Sequence, residues 1–262
     1  MEADKNFLYR LNNIAQEAGK IILTFYEKSE VSVKEKSDSS PVTEADFAAS
    51  DYIVSALKKE FPEIPSLSEE SSEEVFQERL KWDEYFLIDP LDGTKEFIKK
   101  SSEFTVNIAL IRKGRVVAGV VDVPVLRETY YGNCEESFIC REGIESKLPL
   151  VPYDKDILRV VSTKSHKNTA TEEFIEKLKG KFPKVEAKTF GSSLKICKVA
   201  EGVADMNPRL GTGTKEWDIA AAHAVLKGAG GDIFLLNTKT SMNYNKESLH
   251  NPEYEARRKE LC

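Results

Sequence analysis

The 262-residue chain is long enough for one large α/β unit or two closely joined halves. Its 40% hydrophobic and 31% charged residues match an ordinary globular protein, which excludes a disordered chain. No apolar run approaches the roughly 20 residues that cross a bilayer, so stable membrane insertion is excluded. A formal net charge of −6 leaves no overall basic footprint for a nucleic-acid polymer, and an anionic ligand must be held by local cations.

The first residues, MEADKNFLYRLNN, lack the basic and apolar regions of a signal peptide, so a cytoplasmic protein is expected. Phe7, Leu11, Ile14, Ala15, Ala18, Ile22 and Phe25 recur at three-and-four spacing and predict a first helix over residues 5–27. A polar stretch over 31–40 reads as an excursion with one short strand. A second helix is predicted from Thr43 to Phe61, with Phe47, Val54, Leu57 and Phe61 on its apolar stripe and Pro62 and Pro65 behind it.

From Tyr85 the pattern changes to strands: YFLID, then TVNIALI and RVVAGVVDVP joined by a Lys113-Gly114 hairpin, then ETYYG and SFICR, together an antiparallel meander. After about Leu150, strands and helices alternate: ILRVVS, TEEFIEKLKGKF, VEAKTF, SLKICKVAEG, ADMN, EWDIAAAHAVLKGAG and DIFLL. The closing EYEARRKELC is more charged than a strand-like ending. No internal repeat or linker separates residues 1–150 from 151–262, so the halves are expected to form a single unit. The four cysteines, Cys134, Cys140, Cys197 and Cys262, form no CxxC pair, which argues against zinc and disulfides; Cys140 and Cys197 are expected to be buried.

The stretch FLIDPLDGTKEF ends an apolar strand in Asp89 and Asp92. Pro90 and Asp92-Gly93 suit a plain turn. Other acids have equally plain readings: Asp46 closes a capping box with Thr43, Glu69 belongs to a solvated acidic run, and Asp218 complements a helix dipole. Unpaired carboxylates at the end of a buried strand are nevertheless costly without a cation. Oxygen ligands with no His or Cys among them suit Mg²⁺. Asp89 and Asp92 would hold the metal, while Gly93 and Thr94 would bring backbone N–H groups and a hydroxyl against a phosphate.

DPLDGT, preceded by PVTEAD and SEE and followed by WD at the start of a late helix, resembles the lithium-sensitive, magnesium-dependent phosphatase family of inositol monophosphatases and fructose 1,6-bisphosphatases. The resemblance covers nearly the whole chain and implies a layered α-β-α-β-α sandwich. DPLDGTKEFIK, EFTVNIALI and FGSSLKICKVAEG are most similar to the bacterial 3′(2′),5′-bisphosphate nucleotidases, with Glu96 where inositol monophosphatases usually carry Asn.

That likeness implies hydrolysis of adenosine 3′,5′-bisphosphate to AMP, with 3′-phosphoadenosine 5′-phosphosulfate as a second substrate, a service to sulfur assimilation. It also implies two or three Mg²⁺. Glu69, Asp89 and the Leu91 carbonyl would hold the first, and Asp89, Asp92 and Asp218 the second. Asp46 and Thr94, with Glu69 close by, would serve the attacking water. Thr163, His166, Gly191, Ser192, Lys195 and Arg209 match nucleotide contacts. As residues alone, His166 also reads as a helix cap, Ser192 as an N-cap, Lys195 as a solvated side chain and Arg209 as a loop residue. A small-molecule nucleotide bisphosphate is the expected partner, and the chain would be a monomer or homodimer. The alternatives are an inositol monophosphatase-like enzyme and a catalytically silent binding regulator.

Overall fold

The computed structural model describes residues 2–28, 33–35, 41–163, 169–211 and 213–262. Helix α1 (Lys5–Tyr26) starts where Asp4 accepts a hydrogen bond from the Phe7 N–H at 2.8 Å. It buries the expected line from Phe7 to Ile22, with Phe25 packed at the margin. The hairpin β1 (Val33–Glu35) and β2 (Pro41–Thr43) leads into α2 (Glu44–Glu60). Leu57 and Phe61 are buried as expected, but Phe47 is 44% exposed and Val54 half-buried. The inward line is instead Ala45, Ala49, Ile53 and Leu57, whose small first members let α2 lie close to its neighbours.

Then come β3 (Ser66–Ser68), α3 (Glu73–Glu78), β4 (Glu84–Asp92), α4 (Thr94–Ile98), β5 (Thr105–Arg112), β6 (Arg115–Val123), β7 (Glu128–Gly132), β8 (Ser137–Arg141) and β9 (Ile144–Lys147). Strands β4 to β8 form the predicted antiparallel meander, β9 extends it beyond the expectation, and β3 adds in parallel beside β4. Lys113 and Gly114, at φ 50° and 70°, turn the β5–β6 hairpin in the left-handed geometry that two-residue loops favour.

The remainder is β10 (Ile157–Thr163), α5 (Thr169–Lys179), β11 (Lys184–Phe190), α6 (Leu194–Glu201), β12 (Met206–Arg209), α7 (Glu216–Gly228), β13 (Asp232–Leu235) and β14 (Tyr254–Arg257). Its sheet runs β11-β10-β12-β14-β13, with β10 parallel to both neighbours and β14 antiparallel to both of its own. The charged tail thus opens with a strand and closes in a single helical turn. Its charges are tolerated because Arg257 pairs with Glu255 at 2.9 Å and the following Arg258 pairs with buried Asp205 at 3.0 Å.

Three apolar clusters reveal the layers. Phe86 and Ile88 of β4 pack with α1 and α2, whereas Tyr85 and Leu87, pointing to the opposite face, pack with α6 and α7. The far side of α6 and α7 meets Val161, Ile233 and Ala256 of the second sheet, whose outer face carries α5 through Leu158, Val160 and Leu178. The order is the expected α-β-α-β-α. Cys197 is buried and Cys140 only half-buried, on a strand near the sheet edge. Among the described residues, no helix is long and apolar enough to cross a membrane.

Candidate active site

Asp89 of β4 faces Asn107 of β5, and Asp92 faces Thr105, so three steps on one strand match two on the other. In an unbroken strand, side chains three positions apart point to opposite faces. The extra residue is a β-bulge at Pro90–Leu91, and it brings both aspartates to one face. Asp218, at the start of α7, joins them from the middle layer. Oxygens of Asp89, Asp92 and Asp218 lie within 4.8 Å of one another, Asp89 buried and the others half-buried.

Burial, then the charges of Glu69, Asp92, Asp218 and Asp46, hold the Asp89 carboxyl well above its ordinary range. Burial and the neighbouring Asp92 and Glu69 raise Asp218 in the same way. Asp92 is pushed up to about 6 by burial, against the pull of Lys195 and the Ser193 N–H.

Each acid commits one oxygen to a main-chain N–H. Leu91 donates to Asp89 Oδ1 at 3.1 Å, Ser193 to Asp92 Oδ2 at 2.6 Å, Lys215 to Asp218 Oδ2 at 2.8 Å and Thr43 to Asp46 Oδ2 at 2.8 Å. The capping reading of Asp46 is therefore correct, and Asp218, read as complementing the helix dipole, also caps the start of α7 through the Lys215 N–H; the caps themselves aim the second oxygen. Asp46 Oδ1 lies 3.5 Å from the Thr94 hydroxyl, which also approaches the Leu91 carbonyl at 3.4 Å; both are long for hydrogen bonds. Glu69 follows β3, where its N–H bonds the Ile88 carbonyl at 3.0 Å; it lines the same pocket but is not one of the tight trio.

This pocket, about 260 Å³, brings together Glu69, Asp92, Gly93, Thr94, Asp218, Thr163, Gly191, Ser192, Lys195 and Arg209. Asp46, Asp89 and Leu91 stand behind it. Gly93, at φ 90°, makes a turn that a side chain would strain. The Gly191 N–H is taken by Glu103 Oε2 at 2.9 Å, and the Ser192 hydroxyl donates to the Glu103 carbonyl at 3.0 Å. Lys195 Nζ donates to the Ser192 carbonyl at 2.6 Å, and burial holds its pKa below the ordinary value. His166 lies outside the described residues.

Several pocket residues escape the sequence reading, among them Ser193, Asn207, Thr214 and Tyr254. Asn207 is 2% exposed; its amide donates to the Val161 carbonyl at 2.8 Å, while Oδ1 has no partner among the described residues. A polar residue inside an apolar strand, as in ADMN, is the signal that marks it.

A cluster of carboxylate oxygens with no His or Cys, each pushed toward protonation first by burial, fits a hard divalent cation. The model of the inositol monophosphatase family matches residues 4–261. The chain belongs to that family.

Metal dependence, generally on Mg²⁺, is a property of the inositol monophosphatase family. Within it, the chain is 39% identical to the 3′(2′),5′-bisphosphate nucleotidase CysQ of Salmonella typhimurium, over 94% of this chain and 98% of that protein. Identity to CysQ of Escherichia coli K12 is 38%, over 92% and 95% of the two chains. The crystal structure of CysQ from Bacteroides thetaiotaomicron superposes with a TM-score of 0.85 at 38% identity, covering 96% of each chain.

Proposed function

We propose that this protein is a metal-dependent 3′(2′),5′-bisphosphate nucleotidase that hydrolyses the 3′-phosphate of adenosine 3′,5′-bisphosphate to give AMP and phosphate. Near end-to-end similarity to curated nucleotidases is the observation that carries the substrate class. The pocket agrees with it: one phosphate needs the acid cluster with its cations, and the second needs side-chain cations, for which Lys195 and Arg209 are at hand. The 5′-phosphosulfate analogue presents a similar anion to the same side chains and is proposed as a second substrate.

Two Mg²⁺ would be held by Asp89, Asp92 and Asp218 with Glu69 and the Leu91 carbonyl, and a third is compatible with Asp46 and Thr94. When bound, such cations neutralise charge on a phosphoryl group and make water more acidic. The Thr94 hydroxyl, 3.5 Å from Asp46 Oδ1 and 3.4 Å from the Leu91 carbonyl, orients a water in line with the 3′-phosphorus. The Asp46 carboxylate draws that water's proton toward Thr94. The phosphorus–oxygen bond to the ribose breaks as water attacks, and the 3′-oxygen takes up a proton from solvent. Thr163, Ser192, Lys195 and Arg209, with the main chain at Gly93 and Gly191, hold the nucleotide in register.

The chain is proposed to work as a single unit, with residues 1–150 supplying most cation ligands and 151–262 the nucleotide contacts and Asp218. Support comes from the middle helices, which pack against both sheets. A single cooperative unfolding transition seen by both tryptophan fluorescence and circular dichroism is expected.

Substrate choice is tested by phosphate release from adenosine 3′,5′-bisphosphate and from inositol 1-phosphate, with Mg²⁺ and with added Li⁺. Lithium-sensitive turnover that favours the nucleotide is expected. Preference for the inositol ester would overturn the substrate, and no turnover of either would overturn the enzyme reading.

A further inference from the structure

Beneath Asp92 lies a small buried polar group that the reaction itself does not use. Thr105, Asn107 and Ser193 are 0%, 1% and 3% exposed. The Ser193 hydroxyl donates to Asn107 Oδ1 at 2.8 Å and lies 2.9 Å from Thr105 Oγ1. Because a hydroxyl has one proton, Thr105 must be the donor in the second contact. Asn107 Nδ2 is thereby turned toward Asp92 Oδ2, at 3.5 Å, on the same oxygen that accepts the Ser193 N–H at 2.6 Å. One oxygen of Asp92 is held by the Ser193 N–H with the Asn107 amide facing it, and the other is left for the pocket.

The partner in this arrangement is the loop that leads into α6, whose first turn carries the pocket's lysine. Residues 191–193 are pinned to β5's leading end through Glu103, and a Cβ at Gly191 would fall 2.7 Å from the Glu103 carbonyl oxygen. Ser192 has φ 43°, a left-handed conformation that persists only because its surroundings hold it. Lys195 in turn bonds the Ser192 carbonyl. A ligand that engages Lys195 therefore acts on the segment whose next N–H fixes Asp92.

We propose that Asn107 and Ser193 are positioning residues that couple the cation site to the nucleotide loop, so that nucleotide and divalent cation tighten each other's binding. The inference rests on the reading of Asp92 as a cation ligand and of the pocket as a nucleotide site. Coupling of this kind is reciprocal, which makes it measurable from either side. The polar trio is the physical link: replacing it leaves Asp92 in place but free to turn.

The test uses the full chain and Mn²⁺ binding followed by electron paramagnetic resonance, with and without AMP. AMP should tighten Mn²⁺ in the wild type by about 5-fold or more, and Mn²⁺ should tighten AMP by the same factor. Ser193→Ala, and independently Asn107→Ser, should weaken Mn²⁺ by about 10-fold or more and bring the AMP effect close to one. Ser193→Thr should retain both, and unchanged circular dichroism should accompany every variant. Independent binding of AMP and Mn²⁺ in the wild type would overturn the inference, as would full coupling in both variants. Mn²⁺ binding that Asp92→Asn leaves unchanged would overturn the cation reading beneath it.

Discussion

Asp122 of β6 is a buried carboxylate outside the acid cluster of Asp89, Asp92 and Asp218, and it serves as a control for the logic of the site. It is 5% exposed, accepts a hydrogen bond from Thr129 at 2.8 Å, and lies so near α1 that a Cβ on Gly19 would fall 2.3 Å from its Oδ2. Burial pushes its pKa from 3.8 up to about 7, opposed by the Thr129 bond and the distant charge of Lys20. The folded state therefore holds this proton more tightly than the unfolded chain. Stability must fall as pH rises from about 4 to about 7, and the penalty is complete above that. A separation of about three units corresponds to about 4 kcal/mol.

Asp122→Asn keeps the shape and an acceptor for Thr129 but cannot ionise. In urea unfolding, the stability of the variant relative to the wild type should rise by about 2–3 kcal/mol between pH 5 and pH 8, leaving the variant the more stable protein at pH 8. Equal pH dependence of the two proteins, or a variant less stable at pH 8, would refute the reasoning. Mg²⁺ should leave this difference unchanged, because Asp122 is not part of the acid cluster.

Asp92→Asn should lower turnover by about 100-fold or more and abolish the Mg²⁺-dependent rise in melting temperature, with the apo protein folded normally. Lys195→Met should raise KM for adenosine 3′,5′-bisphosphate by about 10-fold or more while affecting 3′-AMP, which lacks the 5′-phosphate, much less; equal effects on the two substrates would count against a 5′-phosphate contact. Gly191→Ala should displace the loop against Glu103 and weaken AMP binding in calorimetry, since the added methyl would lie 2.7 Å from a carbonyl oxygen. Thr43→Ala should cost about 1 kcal/mol through the lost cap of α2 and also reduce turnover, because the same cap holds Asp46.

Long periodic elements were legible from residues alone. The first helix shows its buried line from Phe7 to Ile22, and Lys113-Gly114 marks a hairpin by turn chemistry. β3, α3, α4 and β9, none longer than six residues, have too few positions for a period to emerge. On α2 the reading followed the bulky Phe47, whereas the small alanines decided which side goes inward. β14 was hidden by its charges, whose partners lie two positions along the same strand or outside it.

The acids were legible as a set through four ordered motifs, but their convergence was not. Spacing by three in a strand implies opposite faces, and only the pairing of β4 with β5 exposes the bulge that reverses this. Ser193 and Asn107 stand 86 positions apart, and no local pattern relates them. The same holds for Asn207, whose meaning depends on the pocket it borders.

The central claim is that Asp89, Asp92 and Asp218 hold the cations on which catalysis depends. Anomalous diffraction from crystals grown with Mn²⁺ and AMP tests it most directly. Strong peaks within coordinating distance of all three carboxylates, with Glu69 beside one of them and AMP against Lys195 and Arg209, are predicted. Mn²⁺ bound elsewhere while those crystals turn over substrate would contradict the account.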